Sequence, residues 1–375
     1  MLGRIFRGGF WWRLALVPLL LAAFAAGVVI HEIVRDPRLP LEWRKGMNVT
    51  AYQPDAFSSE VADRSLRELR ATGTTHVAIV PNWYMQARDS SEVAPDPAKT
   101  PTDESVLHAI REARSLGLEV MLKPHVDVVD GTFRGEIEPA DREAWFASYG
   151  SMIDHYADLA ARGGATTFCV GTELTSMATD TESFREVIAG ARERFDGELT
   201  YAANRIEGAE EVGFWLDLDL VGIDAYMPLD TPNPDDPTVA ELEQAWLPYV
   251  RRIEALHERL DRDVVFTELG YESLIRSATE HPGSEVSQVA QATAYQAAFR
   301  VWSEADFEWF RGIYWWDWSA EGLNDETDDA SFRPAGKIAE VVLRYWNDDS
   351  YEWPPDVDRG ELRTLDEFGN PPGES

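Results

Sequence analysis

The chain has 375 residues, 44% of them hydrophobic, enough for a large buried core, which excludes an intrinsically disordered protein. Acidic residues number 67 against 34 basic ones, and the formal charge of −33 argues against nucleic acid as a partner. A single cysteine, Cys169, excludes an intrachain disulfide, and no CxxC or zinc-ligand spacing occurs.

At the N-terminus Arg4, Arg7 and Arg13 precede an apolar run from Leu14 to Ile30, 17 residues without a charge. A basic flank before such a run predicts an export signal or a single membrane anchor over residues 1–35. "AFA" (23–25) offers a small-residue cleavage site, whereas the apolar run continues past it through "GVVI", so release and anchoring both stay open. Either way the basic flank stays cytoplasmic and the rest lies outside. The membrane is met only through this segment. Residues 36–43 read as a linker.

From 44 to 347 short apolar runs alternate with longer amphipathic ones. The predicted strands are "GMNVTAY" (46–52), "HVAIVP" (76–81), "EVMLKPH" (119–125), "TFCVG" (167–171), "LTYAAN" (199–204), "LVGIDAY" (220–226), "VVFTELG" (264–270) and "GIYWWDW" (312–318). Between them, segments such as "DESVLHAIREARSL" repeat apolar residues at three and four, the helical spacing. Eight such alternations predict an α/β fold, a (β/α)8 TIM barrel, with only a short helix around "GAEEVGFWLDL" in the fifth unit. Connections from helix into strand are short ("GTT", "GL", "GGAT", "DRD"), and several from strand into helix are long, as in "NWYMQARDSSEVAPDPAKTP". A barrel places the long set at the carboxyl ends of its strands, where barrel enzymes carry their chemistry. An open doubly wound sheet is the rival, but "NVTAYQPD" stands where its glycine-rich phosphate turn belongs. Residues 348–375 are acidic and Pro-rich without periodicity and predict a loosely ordered tail.

Two of the strands finish alike. "FCVGTELT" carries Glu173 and "VVFTELGY" carries Glu268, both within Thr-Glu-Leu and 95 residues apart. A carboxylate ending an apolar run is costly without a partner or a task. On a barrel both lie on the catalytic rim. Retaining glycoside hydrolysis needs two such carboxyls, one to protonate the leaving oxygen and one to attack the anomeric carbon, about 5 to 5.5 Å apart. A single rim Glu more often caps a helix or pairs with an Arg; two in the same context shift the balance toward catalysis.

Other rim residues suit a sugar. Trp315 and Trp316 end the last strand, where alternation sends at least one to the barrel mouth as a flat floor for a pyranose ring. Tyr226 can hydrogen-bond the attacking carboxylate. Asn48, Asn82, Trp83, Asn204 and Asp224 sit at or near strand ends, within reach of hydroxyls. "KPHVDVVDGTFRG" is the densest polar run, and Lys123, His125, Asp127 and Arg134 are read as substrate-binding groups. His125 and Asp127 are also potential metal ligands, but no other strand end offers a His, and no metal is expected.

Taken together and in order, "KPHVDVVDGTFRG", "SYGSMIDHYADLAARGGATTFCVGTEL", "ELTYAAN", "FWLDLDLVGIDAYMPL", "VVFTELGY" and "GIYWWDWS" resemble glycoside hydrolase family 113, known chiefly for β-mannanases, across about Gly46 to Trp346. The resemblance implies Glu173 as acid/base, Glu268 as nucleophile, no cofactor, and an oligo- or polysaccharide substrate, with a mannan as the expected one. The wider clan commonly has Asn directly before the acid/base Glu, where this chain has Thr172. The oligomeric state is not legible. The alternatives are a non-catalytic carbohydrate-binding barrel and a carboxylate-rich metallohydrolase.

Overall fold

Residues 39–303, 307–325, 329–357 and 362 are described by a computed structural model of the chain. The predicted leader (1–35) lies outside them, as do the first three residues of the linker and all but one of the last 18 residues. Among the described residues no helix is long and apolar enough to cross a membrane.

The eight apolar runs form parallel strands: β1 (Arg44–Thr50), β2 (His76–Val80), β3 (Glu119–Leu122), β4 (Thr167–Thr172), β5 (Glu198–Asn204), β6 (Leu220–Asp224), β7 (Val264–Leu269) and β8 (Phe310–Ser319). They close into a barrel in the order β1-β8-β7-β6-β5-β4-β3-β2. Because alternate residues face opposite sides of a strand, each run is divided between two cores. Ala78, Met121, Cys169, Ala202, Leu220, Val265 and Tyr314, one from each of β2 to β8, fill the interior. Their neighbours, such as Val77, Ile79, Phe168 and Val170, point outward into the larger layer beneath the helices. Cys169 is therefore a buried small side chain, and burial pushes its thiol up to about 11.

The helices are α1 (Glu60–Arg70), α2 (Asp103–Ser115), α3 (Arg142–Gly163), α4 (Thr181–Arg194), α5 (Arg205–Glu211), α6 (Val239–Leu260), α7 (Gln288–Trp302) and α8 (Ile338–Asn347). Six start at a Ser, Thr or Asp whose side chain accepts from the backbone three residues on, and Thr238 with Glu241 forms a reciprocal capping box. Each turns its apolar stripe to the sheet; α1, for example, buries Ala62, Leu66 and Leu69. Full burial of one such Leu contributes about 1.5–3 kcal/mol. The short returns close on left-handed residues, Gly73 (φ 83°), Gly117 (78°), Gly164 (83°) and Asp261 (52°), a conformation that ends a helix within one residue.

Two departures from the sequence reading shape the rim. The predicted third strand runs to His125, whereas β3 stops at Leu122. Ile79 of β2 pairs with Leu122 of β3, so Pro81 and Pro124 stand level two residues further on. Neither can donate to a ladder, and both barrel strands end there. The chain resumes as a separate parallel pair, Asn82–Met85 with His125–Val128. The second departure is the tail. Trp353 lies edge-on to Tyr345 of α8 at 5.2 Å and donates its indole N–H to Val357, and Val357 and Leu362 are buried. The described part of the tail packs onto the barrel rather than hanging loose.

Candidate active site

Both Thr-Glu-Leu segments sit at a β-bulge. Between Cys169 and Thr172, β4 carries three steps where β5 carries two (Thr200 to Ala202), and between Phe266 and Glu268, β7 carries an extra residue against Ile223 and Asp224 of β6. One added residue reverses which face a side chain takes, so the regular alternation breaks just where each glutamate stands. The flanking residues hold the new aim: Thr172, Leu174, Thr267 and Leu269 are all buried. Glu173 adopts φ +54° and donates its backbone N–H to Ala202 at 2.8 Å. The two glutamates keep 7% and 3% of their surface exposed.

Glu268 is surrounded by donors. Its Oε1 pairs with the Lys123 ammonium and lies 3.4 Å from His125 Nε2; its Oε2 accepts from the Tyr226 hydroxyl at 2.8 Å. Burial works against its ionisation, but the Lys123 charge and the His125 contact outweigh that and hold the carboxyl well below its usual range. Glu173 has the opposite bias. Burial comes first and the Glu268 charge adds to it, and together they push its carboxyl up despite the Arg134 guanidinium 3.1 Å away. Burial and the Lys123 and Arg134 charges push the His125 imidazole down to about 3, so it stays neutral. Its ring stacks on Trp316 with centroids 5.8 Å apart and planes within 5°.

The remaining predicted residues divide. Asn82 donates to Asp127 at 2.6 Å, Asp127 accepts from Arg134 at 2.7 Å, and the side pair of strands carries all but the last of these. Asn204 stands half-buried at the rim, level with Asp224. Four residues read as substrate contacts are buried out of reach of solvent, and a fifth, Trp83, is half-buried. Asn48 is wholly buried inside the barrel and donates to the carbonyls of Thr267, Tyr314 and Trp315, tying β1 to the bulged strands. Lys123 and Asp224 have no exposed surface and form an internal ion pair at 3.5 Å. Trp315 points outward, since Tyr314 before it points in, and stacks on Tyr295 of α7 at 3.9 Å. Trp83 packs against His155 and Tyr156 of α3. Of the two indoles, Trp316 alone is half-exposed beside the glutamates.

Tyr52 and Asp317 were missed. Asp317, joined to Trp316 by a cis peptide, accepts from Thr50 Oγ1 at 3.0 Å, and its charge faces Glu268. Tyr52 follows β1 half-exposed; burial and the Asp127 and Asp317 charges push its phenol up. The signal for Asp317 was present, an acid set among three indoles in "YWWDW"; "TAYQ" offered none. Among the described residues no three His, Cys, Asp or Glu side chains are gathered to hold a metal ion.

Lys123 is the buried cation shared by Glu268 and Asp224, and one ammonium cannot neutralise both. Burial and the Glu268 charge accordingly raise the Asp224 carboxyl well above its usual range. Lys123→Met is expected to destabilise the fold by about 3–5 kcal/mol near pH 7, because the buried Glu268 carboxylate loses its counter-ion. The wild-type contribution of Glu268 is present above the ordinary carboxyl value of 4.5 and is lost as the pH falls below it. Urea unfolding at pH 7 and pH 4 should show the gap between the two proteins narrowing in acid; an equal gap would remove the electrostatic account.

A family model described as Glycoside Hydrolase Family 113 matches residues 49–337. A GH113 beta-mannanase from Alicyclobacillus acidocaldarius, solved in complex with ManMIm, is 30% identical, the match covering 82% of this chain and 98% of that one at a TM-score of 0.73. Two structures of a GH113 beta-1,4-mannanase, one of them a complex, are 27% identical over 82% of this chain and 99% of theirs, at a TM-score of 0.74. A beta-glucuronidase from Ruminococcus gnavus, 16% identical over 80% of this chain and 49% of that one with a TM-score of 0.54, shares the fold alone. No curated protein matches the sequence.

Proposed function

The chain belongs to glycoside hydrolase family 113 and is a retaining glycoside hydrolase, and on that premise we propose that it cleaves β-mannan or manno-oligosaccharides with Glu268 as nucleophile and Glu173 as acid/base. In the first step a Glu268 oxygen bonds to the anomeric carbon, the glycosidic bond breaks, and Glu173 gives its proton to the departing oxygen. In the second a water attacks that carbon and passes a proton to Glu173, and the bond to Glu268 breaks with its electron pair returning to the carboxylate. The observation that carries these roles is the opposed bias of the two groups: Glu268 is kept ionised by Lys123, His125 and Tyr226, while burial and Glu268 itself favour a proton on Glu173. Trp316 and Tyr52, half-exposed beside them, are the proposed sugar contacts.

Choice of a mannan is supported by what the 27–30% identical structures are described as. The enzyme is proposed to act outside the cytoplasm, released or held by its N-terminal segment, on the strength of the basic flank and the 17-residue apolar run. Incubation with β-linked mannans, glucans and xylans, with products resolved by size, tests the substrate. Mannan is expected to shorten while the others persist; mannan recovered intact beside a shortened glucan or xylan would refute the assignment.

A further inference from the structure

The Arg134 guanidinium is fixed at three points. Its Nε donates to the Val126 carbonyl at 3.0 Å, Nη2 to Asp127 Oδ1 at 2.7 Å and Nη1 to Glu173 Oε2 at 3.1 Å. Asp127 is itself held by Asn82, so the side pair of strands orients the guanidinium and turns its Nη1 toward Glu173. A cation bonded to the group that must donate a proton is at first sight misplaced, because it favours the carboxylate.

The rest of the surroundings resolve the conflict. Glu173 faces the cations Arg134 and Lys123, the acids Glu268 and Asp224, and the phenols of Tyr201 and Tyr226. Before attack, burial and the Glu268 charge prevail and Glu173 keeps its proton. Once Glu268 is esterified to the sugar its charge is gone, while both cations remain. Glu173, having given up its proton, is then favoured as carboxylate, the form that takes a proton from water.

We propose that Arg134, oriented by Asp127, is a positioning residue for Glu173 whose main effect falls on hydrolysis of the glycosyl-enzyme rather than on its formation. The proposal rests on Glu173 acting as acid/base and Glu268 as nucleophile. In the step concerned, the water oxygen bonds to the anomeric carbon, its proton moves to Glu173, and the Glu268–carbon bond breaks with the electron pair returning to Glu268.

The test uses 2,4-dinitrophenyl β-mannoside, whose leaving group needs little protonation, so that hydrolysis of the intermediate limits kcat. Arg134→Gln is expected to lose about 10- to 100-fold in kcat with kcat/KM held within about threefold. Intact mass should show the glycosyl-enzyme accumulating, and azide should restore turnover, since an anionic nucleophile needs no base. The acid limb of kcat should move to higher pH, because turnover then requires ionised Glu173 and a cation has been removed. Arg134→Lys, which keeps the charge and loses the fork, should retain the wild-type acid limb with a smaller, azide-sensitive loss in kcat. Equal falls in kcat and kcat/KM without accumulation, in whichever of the two variants folds, would overturn the proposal. Wild-type enzyme that forms no intermediate, or forms it on a residue other than Glu268, would instead refute the assignment of the two glutamates and is seen in the same experiment.

Discussion

Glu268→Ala is expected to lower kcat on mannan by about 10⁴-fold or more while leaving the barrel folded. The covalent route is lost outright, and the carboxyl directly beneath cannot replace it, because Asp224 is sealed in the barrel with no exposed surface. The fold should survive because Lys123 keeps Asp224 at 3.5 Å as an anion partner once the Glu268 charge that raised it is gone. Added azide is expected to enter the vacated space and attack in place of the side chain, releasing a glycosyl azide of inverted configuration. Circular dichroism with activity and product analysis checks all three points, and a folded mutant of wild-type activity would sink the role given to Glu268.

Glu173→Ala is expected to cost less, and unevenly. General acid–base assistance contributes about 10²- to 10⁴-fold, and that loss should appear in full with mannan, whose leaving alkoxide needs a proton. With a dinitrophenyl glycoside the first step should proceed at close to its normal rate, and the intermediate should then hydrolyse slowly for want of a base. Azide restores turnover here with retained configuration, the stereochemical mirror of the Glu268 result. The basic limb of kcat/KM, which reflects deprotonation of Glu173 in the free enzyme, should also disappear. The same loss of activity on both substrates would place the damage in binding or folding instead.

How much of this the sequence disclosed follows from which rules it obeys. Helix starts are written locally, in Ser59, Thr102 or Thr238 just before an apolar repeat, and the returns at Gly73 and Gly117 are equally local. Strand existence was legible for the same reason. Facing was legible only where the pleat is regular. Trp315 and Trp316 were both assigned to the sugar because parity could not be counted through β8, which carries extra residues against β7 and against β1. Asn48, Lys123 and Asp224 were read as contacts because polarity at a strand end looks the same whether it meets solvent or another buried charge. Their partners lie more than 100 residues away in the chain, Lys123 with Asp224 and Glu268, Asn48 with Thr267, and no local pattern records such a pairing. The side pair of strands was missed because "NWYM" and "HVDV" are too short to stand as strands without each other.

The level prolines at 81 and 124 divide the machinery mechanically. The Val126 carbonyl and Asp127, which orient Arg134, are mounted on a two-strand bracket bolted to the ring at one end, whereas the strand that carries Glu268 belongs to the ring itself and meets the bracket only at its root, through His125. Alterations to the bracket can thus retune the acid's half of the chemistry without disturbing the closed ladder beneath. Separate adjustment of two groups that must work as a couple is something an uninterrupted barrel wall would not allow.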